Sequence, residues 1–262
     1  MNEPQQLRLR IMGVFSVAIM LAAAILPPIP QPQEYHQFAD QRIFFGIPNF
    51  LNVVSNLPFL VIGIAGLTFL LQWSELLARG TFEKLSECGP YMILFLSVLM
   101  AGFCSAYYHL WPDNELLLWD RLPIAVGITA LLAATLVERV SLKVGLQLLP
   151  FLIMIGIASV LYWYCSEQLG AGNLNFYIVT QFYALLLVIL LGVLFSSRYT
   201  RSTDVYVVIA LYSVAKLVEI MDQEIYDFGH IISGHTLKHL IAAVAVYWIL
   251  RMLQRRCLLP VK

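Results

Sequence analysis

Eight apolar runs constrain this chain more than anything else in it. They fall at approximately 11–27, 49–72, 90–109, 116–138, 146–165, 174–195, 204–221 and 235–253. About 20 apolar residues in a helix cross the ~30 Å of hydrocarbon in a bilayer. Backbone groups in lipid have no water to bond, so such runs satisfy themselves as helices. The run 204–221 is the weakest, because it carries Lys216 and Glu219. Composition bears on one question, whether the chain could instead be water-soluble. Charged residues make up 12% of it, against roughly a quarter in a soluble domain, too few to cover a water-facing surface. The expected fold is all-α, a polytopic membrane helical bundle. It is read as one domain over 1–262, with an extra N-terminal helix and loop (1–34), a seven-helix unit (35–253) and a tail (254–262).

Lys and Arg collect in cytoplasmic loops, which gives an expected orientation. The N-terminus has Arg8 and Arg10, the second loop Arg79 and Lys84, the fourth Arg139 and Lys143, and the sixth Arg198 and Arg201. The tail adds Arg251, Arg255, Arg256 and Lys262. The alternate loops hold one cation, Arg42, among Glu34, Asp40, Asp113, Glu115, Glu167, Asp222, Glu224 and Asp227. Eight spans with both termini cytoplasmic fit this split. The first run follows Arg8 and Arg10 as a signal peptide would, but the alternation needs it as a retained helix. A formal net charge of zero gives no footprint for nucleic acid. Cys88, Cys104, Cys165 and Cys257 form no CxxC pair, which argues against a disulfide framework or a thiolate zinc site.

Ionisable residues inside spans pair or serve a function. The third span ends in Ser105-Ala-Tyr-Tyr-His109, with Ser105 and His109 four apart on one helical face. The fourth begins on the same outer side and places Asp120 about one turn in. The eighth opens with Gly234-His235-Thr-Leu-Lys-His239, an HxxxH spacing that lets two imidazoles on one face grip one metal. The charge-derived orientation therefore puts His109, Asp120, His235 and His239 at one depth near one face. Three histidines with an open fourth position is the pattern of catalytic rather than structural zinc.

These motifs resemble the alkaline ceramidase family, within the seven-helix membrane hydrolases that include the adiponectin and progestin receptors. The matching segments are Asn52-Val-Val-Ser55-Asn56, then Gly102-x-x-Ser105-x-x-x-His109 with Leu118-Trp119-Asp120-Arg121-Leu122-Pro123, then Gly234-His235-x-x-x-His239, over roughly 35–253. The resemblance implies a zinc-dependent hydrolase of the amide bond in a ceramide-like N-acyl lipid drawn from the bilayer. His109, His235 and His239 would be its metal ligands, and Asp120 and Ser105 its catalytic residues. The site would face the periplasm, lumen or exterior. The sequence departs from the family at Arg121, where an acidic residue is usual, and at Lys238, where an aromatic one is. Calcium is allowed by the resemblance but not supported by it, since Tyr35 to Asn49 lacks the family's acidic stretch.

Two other functions fit the same residues: a receptor or transporter-like protein with a structural metal, and a redox protein with histidines as axial haem ligands. Several further residues have plain structural readings. Lys216 and Glu219, three apart, read as an intramembrane ion pair. Asp222, Glu224 and Asp227 read as solvated, His230 as a loop histidine, and Tyr107 and Tyr108 as part of an interfacial aromatic belt. Asn52, Ser55 and Asn56 are expected to bond between helices.

Overall fold

The protein is an all-α membrane bundle. In the computed structural model, which describes residues 3–260, 76% of the chain is helical and no strand is present among the described residues. The chain runs through α1 (Glu3–Ile25), α2 (Phe50–Val54), α3 (Leu57–Leu70), α4 (Trp73–Ala78), α5 (Cys88–Leu110) and α6 (Asn114–Arg139). It continues through α7 (Leu142–Gln168), α8 (Asn175–Leu194), α9 (Asp204–Ile220), α10 (Asp222–Asp227) and α11 (Gly234–Arg255). Seven segments are long and apolar enough to cross a membrane, with α2 and α3 acting as one of them. At 17 residues, α9 is the shortest of the long helices and spans ~26 Å at 1.5 Å per residue. Lys262, counted above among the tail cations, lies outside the described residues.

Packing follows chain order around α6. The strongest neighbours are α5 with α6, α6 with α7, α9 with α11, and α3 with α5. Small residues permit the close crossings. A Cβ on Gly234 would meet the Val218 carbonyl and the backbone of Asp222, so only glycine lets the start of α11 settle against the end of α9. By contrast α1 is peripheral. It packs on α8, its membrane-length window is almost wholly exposed, and it is tied down by Arg8 donating to the Leu194 carbonyl at 2.8 Å and by Ser16 bonding Tyr183 at 3.1 Å. Large apolar side chains such as Val14, Phe151 and Val193 stand exposed around the outside, as a surface solvated by lipid requires.

The cation-rich loops meet at one end of the bundle. Leu258 donates to the Gly80 carbonyl and Thr200 to the Cys257 carbonyl, both at 2.9 Å, joining the loop after α4, the loop after α8 and the tail. Arg139 caps the C-terminal end of α8, donating to the Phe195 carbonyl at 2.8 Å and to Gly192 at 3.1 Å. Arg256, buried, bonds Glu138 and donates to the Thr81 carbonyl at 3.0 Å. At the opposite end α5 finishes where α6 and α11 begin. There Asp113 caps α6 by accepting from the Leu116 amide at 2.7 Å, and Ser233 caps α11 by accepting from Thr236 at 3.2 Å.

Candidate metal centre

At that opposite end the structure brings His109, His235 and His239 together. All three are buried, and one ring nitrogen from each lies within 4.8 Å of the other two. Helix geometry does this simply: His109 is one residue from the end of α5, while His235 and His239 occupy one face of the first turns of α11.

The hydrogen-bond partners determine which nitrogens face inward. His109 Nδ1 lies 2.5 Å from the Ser105 carbonyl, which can only accept, so Nδ1 carries the proton. Ser55 donates its hydroxyl to the Asn52 carbonyl at 3.0 Å, so at 2.8 Å from His239 Nδ1 it accepts. His235 Nε2 lies 2.8 Å from the Lys238 ammonium, which can only donate. Nδ1 of His109 and of His239 is thus occupied and their Nε2 atoms are left free, while Nε2 of His235 accepts from Lys238. Nε2 of His109 and Nε2 of His235 lie 2.8 Å apart. Zinc takes imidazole nitrogen at roughly 2.0–2.1 Å, which sets neighbouring nitrogens about 3.4 Å apart. That value lies between the 2.8 Å pair and the 4.8 Å limit of the group, so the residues fit a small tetrahedral ion. Ion ligands held by hydrogen bonds at the second ring nitrogen are the usual outer layer of such sites.

A loop and a helix break that sequence reasoning left out complete this layer. Phe38 stacks on His109 with ring centroids 4.8 Å apart and tilts on His235 at 4.6 Å. Asn49 donates to the His109 carbonyl at 2.8 Å. Thr236 donates to Asn52 Oδ1 at 2.7 Å. Asp222 is not merely solvated, as its loop position suggested. One of its oxygens accepts the His235 amide at 2.6 Å and the other the Ala39 amide at 2.9 Å, clamping the Phe38 loop to the start of α11. Tyr108 also leaves the expected aromatic belt: it is buried and bonds His36 Nδ1 at 3.0 Å, while Tyr107 stays half exposed against Trp111. The signal for Ser55 was visible, as three polar residues (Asn52, Ser55, Asn56) inside an apolar run. Nothing in the sequence pointed to Phe38 or Asn49.

Ser105, Asp120 and His239 line a cavity of about 190 Å³ inside the bundle. Asp120 is buried and its Oδ1 has no hydrogen-bond partner. At this end the wall also carries Tyr35, Arg121, Lys216, Glu219 and Lys238. Glu219 pairs with Lys216 at 2.6 Å, as their spacing suggested, and also with Lys238 at 2.8 Å. Tyr35 donates to the same carboxylate at 3.2 Å. Burial and that carboxylate raise the Tyr35 phenol above its usual range, so it remains a donor. Further in, the wall is apolar, with Leu94, Val98, Leu131, Ile209, Val246 and Ile249. From Ser105 to Leu94 along α5 is about 16 Å at the helical rise, so the cavity is narrow and deep.

The chain matches no protein-family model, and no curated protein matches it.

Proposed function

We propose that this chain is a zinc-dependent membrane hydrolase that cleaves the amide bond of a ceramide-like N-acyl lipid, releasing a fatty acid and an amine, as the alkaline ceramidases it resembles do. The observation that carries this reading is the convergence of three buried histidines, one of them on the wall of a long apolar cavity, near a carboxylate with an unpaired oxygen. In this reading α9 also spans, giving eight spans with cytoplasmic termini, and the site faces the periplasm, lumen or exterior.

His109, His235 and His239 would hold the ion. When bound, zinc supplies Lewis-acid polarisation of a carbonyl and brings the pKa of water to near 7. The remaining work belongs to the chain. Asp120 accepts a proton from the attacking water and returns one to the departing amine, a role its unpaired oxygen leaves open. The Ser105 hydroxyl donates to the carbonyl oxygen as charge develops there. The apolar wall from Val98 to Leu94 and Ile249 holds the acyl chain away from water. Phe38 and its loop cover the histidines. The haem alternative is disfavoured, because imidazole centroids 4.8–5.0 Å apart leave no room for a macrocycle between them.

His109→Ala tests the ligand set. Purified protein should lose stoichiometric zinc and release of fatty acid from N-acyl lipids together. Full zinc occupancy in the folded variant would overturn the assignment. Metal without amide cleavage across a lipid panel in the unaltered protein would favour the receptor-like reading, in which the ion serves structure.

A further inference from the structure

Resting on the hydrolase reading for its reaction but not for its binding site, we infer that the lipid accepted here carries a carboxylate on its amine side, as an N-acyl amino acid does, and that Arg121 receives it.

Arg121 is 94% buried, taking its 6% exposure, and it lies in a membrane helix. Among the described residues no carboxylate lies within ion-pair distance of it. One of its nitrogens, Nη2, donates to Gln31 Oε1 at 2.6 Å, while Nη1 has no partner. The guanidinium is instead held by aromatic faces, 4.1 Å from the Trp163 centroid and 4.9 Å from Tyr177. Such stacking fixes the plane of the fork without neutralising its charge. A buried charge in this setting is costly unless paired. The counter-charge is missing across the whole chamber: the cavity wall has three cations (Arg121, Lys216, Lys238) and two carboxylates (Asp120, Glu219), and a divalent ion at the histidines adds to the excess. A neutral amide leaves the excess in place, whereas a carboxylate offsets it and meets the planar fork of arginine.

The position of Arg121 makes the assignment specific. Asp120 and Arg121 are consecutive on α6, so their Cα atoms are about 3.8 Å apart. Their side chains diverge around the helix, Arg121 turning to Trp163 on α7 and Tyr177 on α8. Both line the cavity, so a lipid whose amide exchanges protons with Asp120 can turn the group on its amine side toward Arg121. In an N-acyl amino acid the carboxylate is one carbon from the amide nitrogen, so both groups enter the same chamber together. Tyr177, against which the guanidinium packs, and Tyr212 also line this cavity.

The test is binding, so it does not depend on turnover. Purified full-length protein in neutral detergent is titrated with N-palmitoylglycine, its methyl ester and palmitate, and heat is recorded. The acid should bind about tenfold or more tightly than the ester, the value of a charge-assisted hydrogen bond. Arg121→Gln should erase that preference, Arg121→Lys should restore part of it, and palmitate binding should be insensitive to both. Equal binding of acid and ester by the unaltered protein would overturn the inference even if both variants failed to fold, as would palmitate binding that falls in step with the acid. If acid and ester bind alike while amides are still cleaved, the carboxylate seat falls and the hydrolase stands. If the acid is preferred but no amide is cleaved, the seat stands and the hydrolase falls.

Discussion

The two ends of this bundle both bury ionisable groups, and they treat them differently. At the cation-rich end nearly every charge is answered. Arg256 has Glu138 and the Thr81 carbonyl. Glu87 has Tyr199 at 2.5 Å and Arg198 at 3.6 Å. Arg139 has three backbone carbonyls. At the histidine end the supporting layer is equally well bonded, but two charged groups that line the cavity are not: Asp120 Oδ1 and Arg121 Nη1 lack partners. Buried polar groups are normally satisfied. Unpaired buried atoms also occur at Trp163 Nε1, Thr180 Oγ1, Trp248 Nε1 and Arg256 Nη2, but an unpaired carboxylate oxygen on a cavity wall beside three histidines is what a site for ligands looks like. The well-bonded end reads as a structural clamp.

The sharpest way to break that contrast is Asp120→Asn. If Asp120 moves protons, amide turnover should fall by ~10²–10⁴, while zinc content and thermal stability stay near those of the unaltered protein. Unchanged turnover would make its unpaired oxygen a structural imperfection. The clamp end makes the reverse prediction. Arg256→Met leaves Glu138 buried with only the Tyr91 hydroxyl, 2.7 Å away, and stranding one member of a buried pair costs about 3–5 kcal/mol. The midpoint of thermal unfolding in detergent should drop sharply with zinc stoichiometry retained in the folded fraction. A loss below about 1 kcal/mol would show that burial there is looser than the bonding implies.

Between these lies Ser55, which touches a histidine without facing the cavity. Ser55→Ala removes the acceptor that orients His239, and loss of an outer-layer partner typically weakens metal affinity ~10–100-fold. Competition against a zinc chelator reads this directly. Affinity that does not move would mean that His239 is oriented by packing alone.

How much of this was legible in the sequence follows the range of the interactions. Helix periodicity is local, so Ser105 with His109 and His235 with His239 could be put on shared faces from spacing alone. The alternation of Lys and Arg among loops is a whole-chain pattern, and it suffices to bring those faces to one end. The loops that carry those cations meet at the other end, through Gly80, Thr200, Cys257 and Leu258. What stayed hidden depends on where irregular backbone goes. Phe38 sits in a connection with no periodicity, and its stacking on two imidazoles is set by Asp222, which lies 183 positions away from the Ala39 amide it holds. Tyr107 and Tyr108 show the limit of composition: adjacent and alike in sequence, they diverge by helical rotation, one to lipid and one to the core.

The smallest expected effect sets the scale for the rest. Arg79 and Glu75 form an ion pair at 3.3 Å on the same end as Arg256, spaced i,i+4 on α4, with side chains 67% and 58% exposed. The chemistry is that of the Arg256–Glu138 pair and only the solvent differs. In water the attraction is screened and two long side chains lose freedom to make it, so Arg79→Ala should shift stability by no more than about 0.5 kcal/mol. Measured beside Arg256→Met under the same conditions, it separates the effect of burial from that of charge pairing at that end. If the two substitutions cost the same, the clamp is a matter of counting charges. If they differ by the expected several kcal/mol, enclosure gives these ions their weight, and the same enclosure at the histidine end is what makes an unpaired Asp120 and Arg121 available for chemistry.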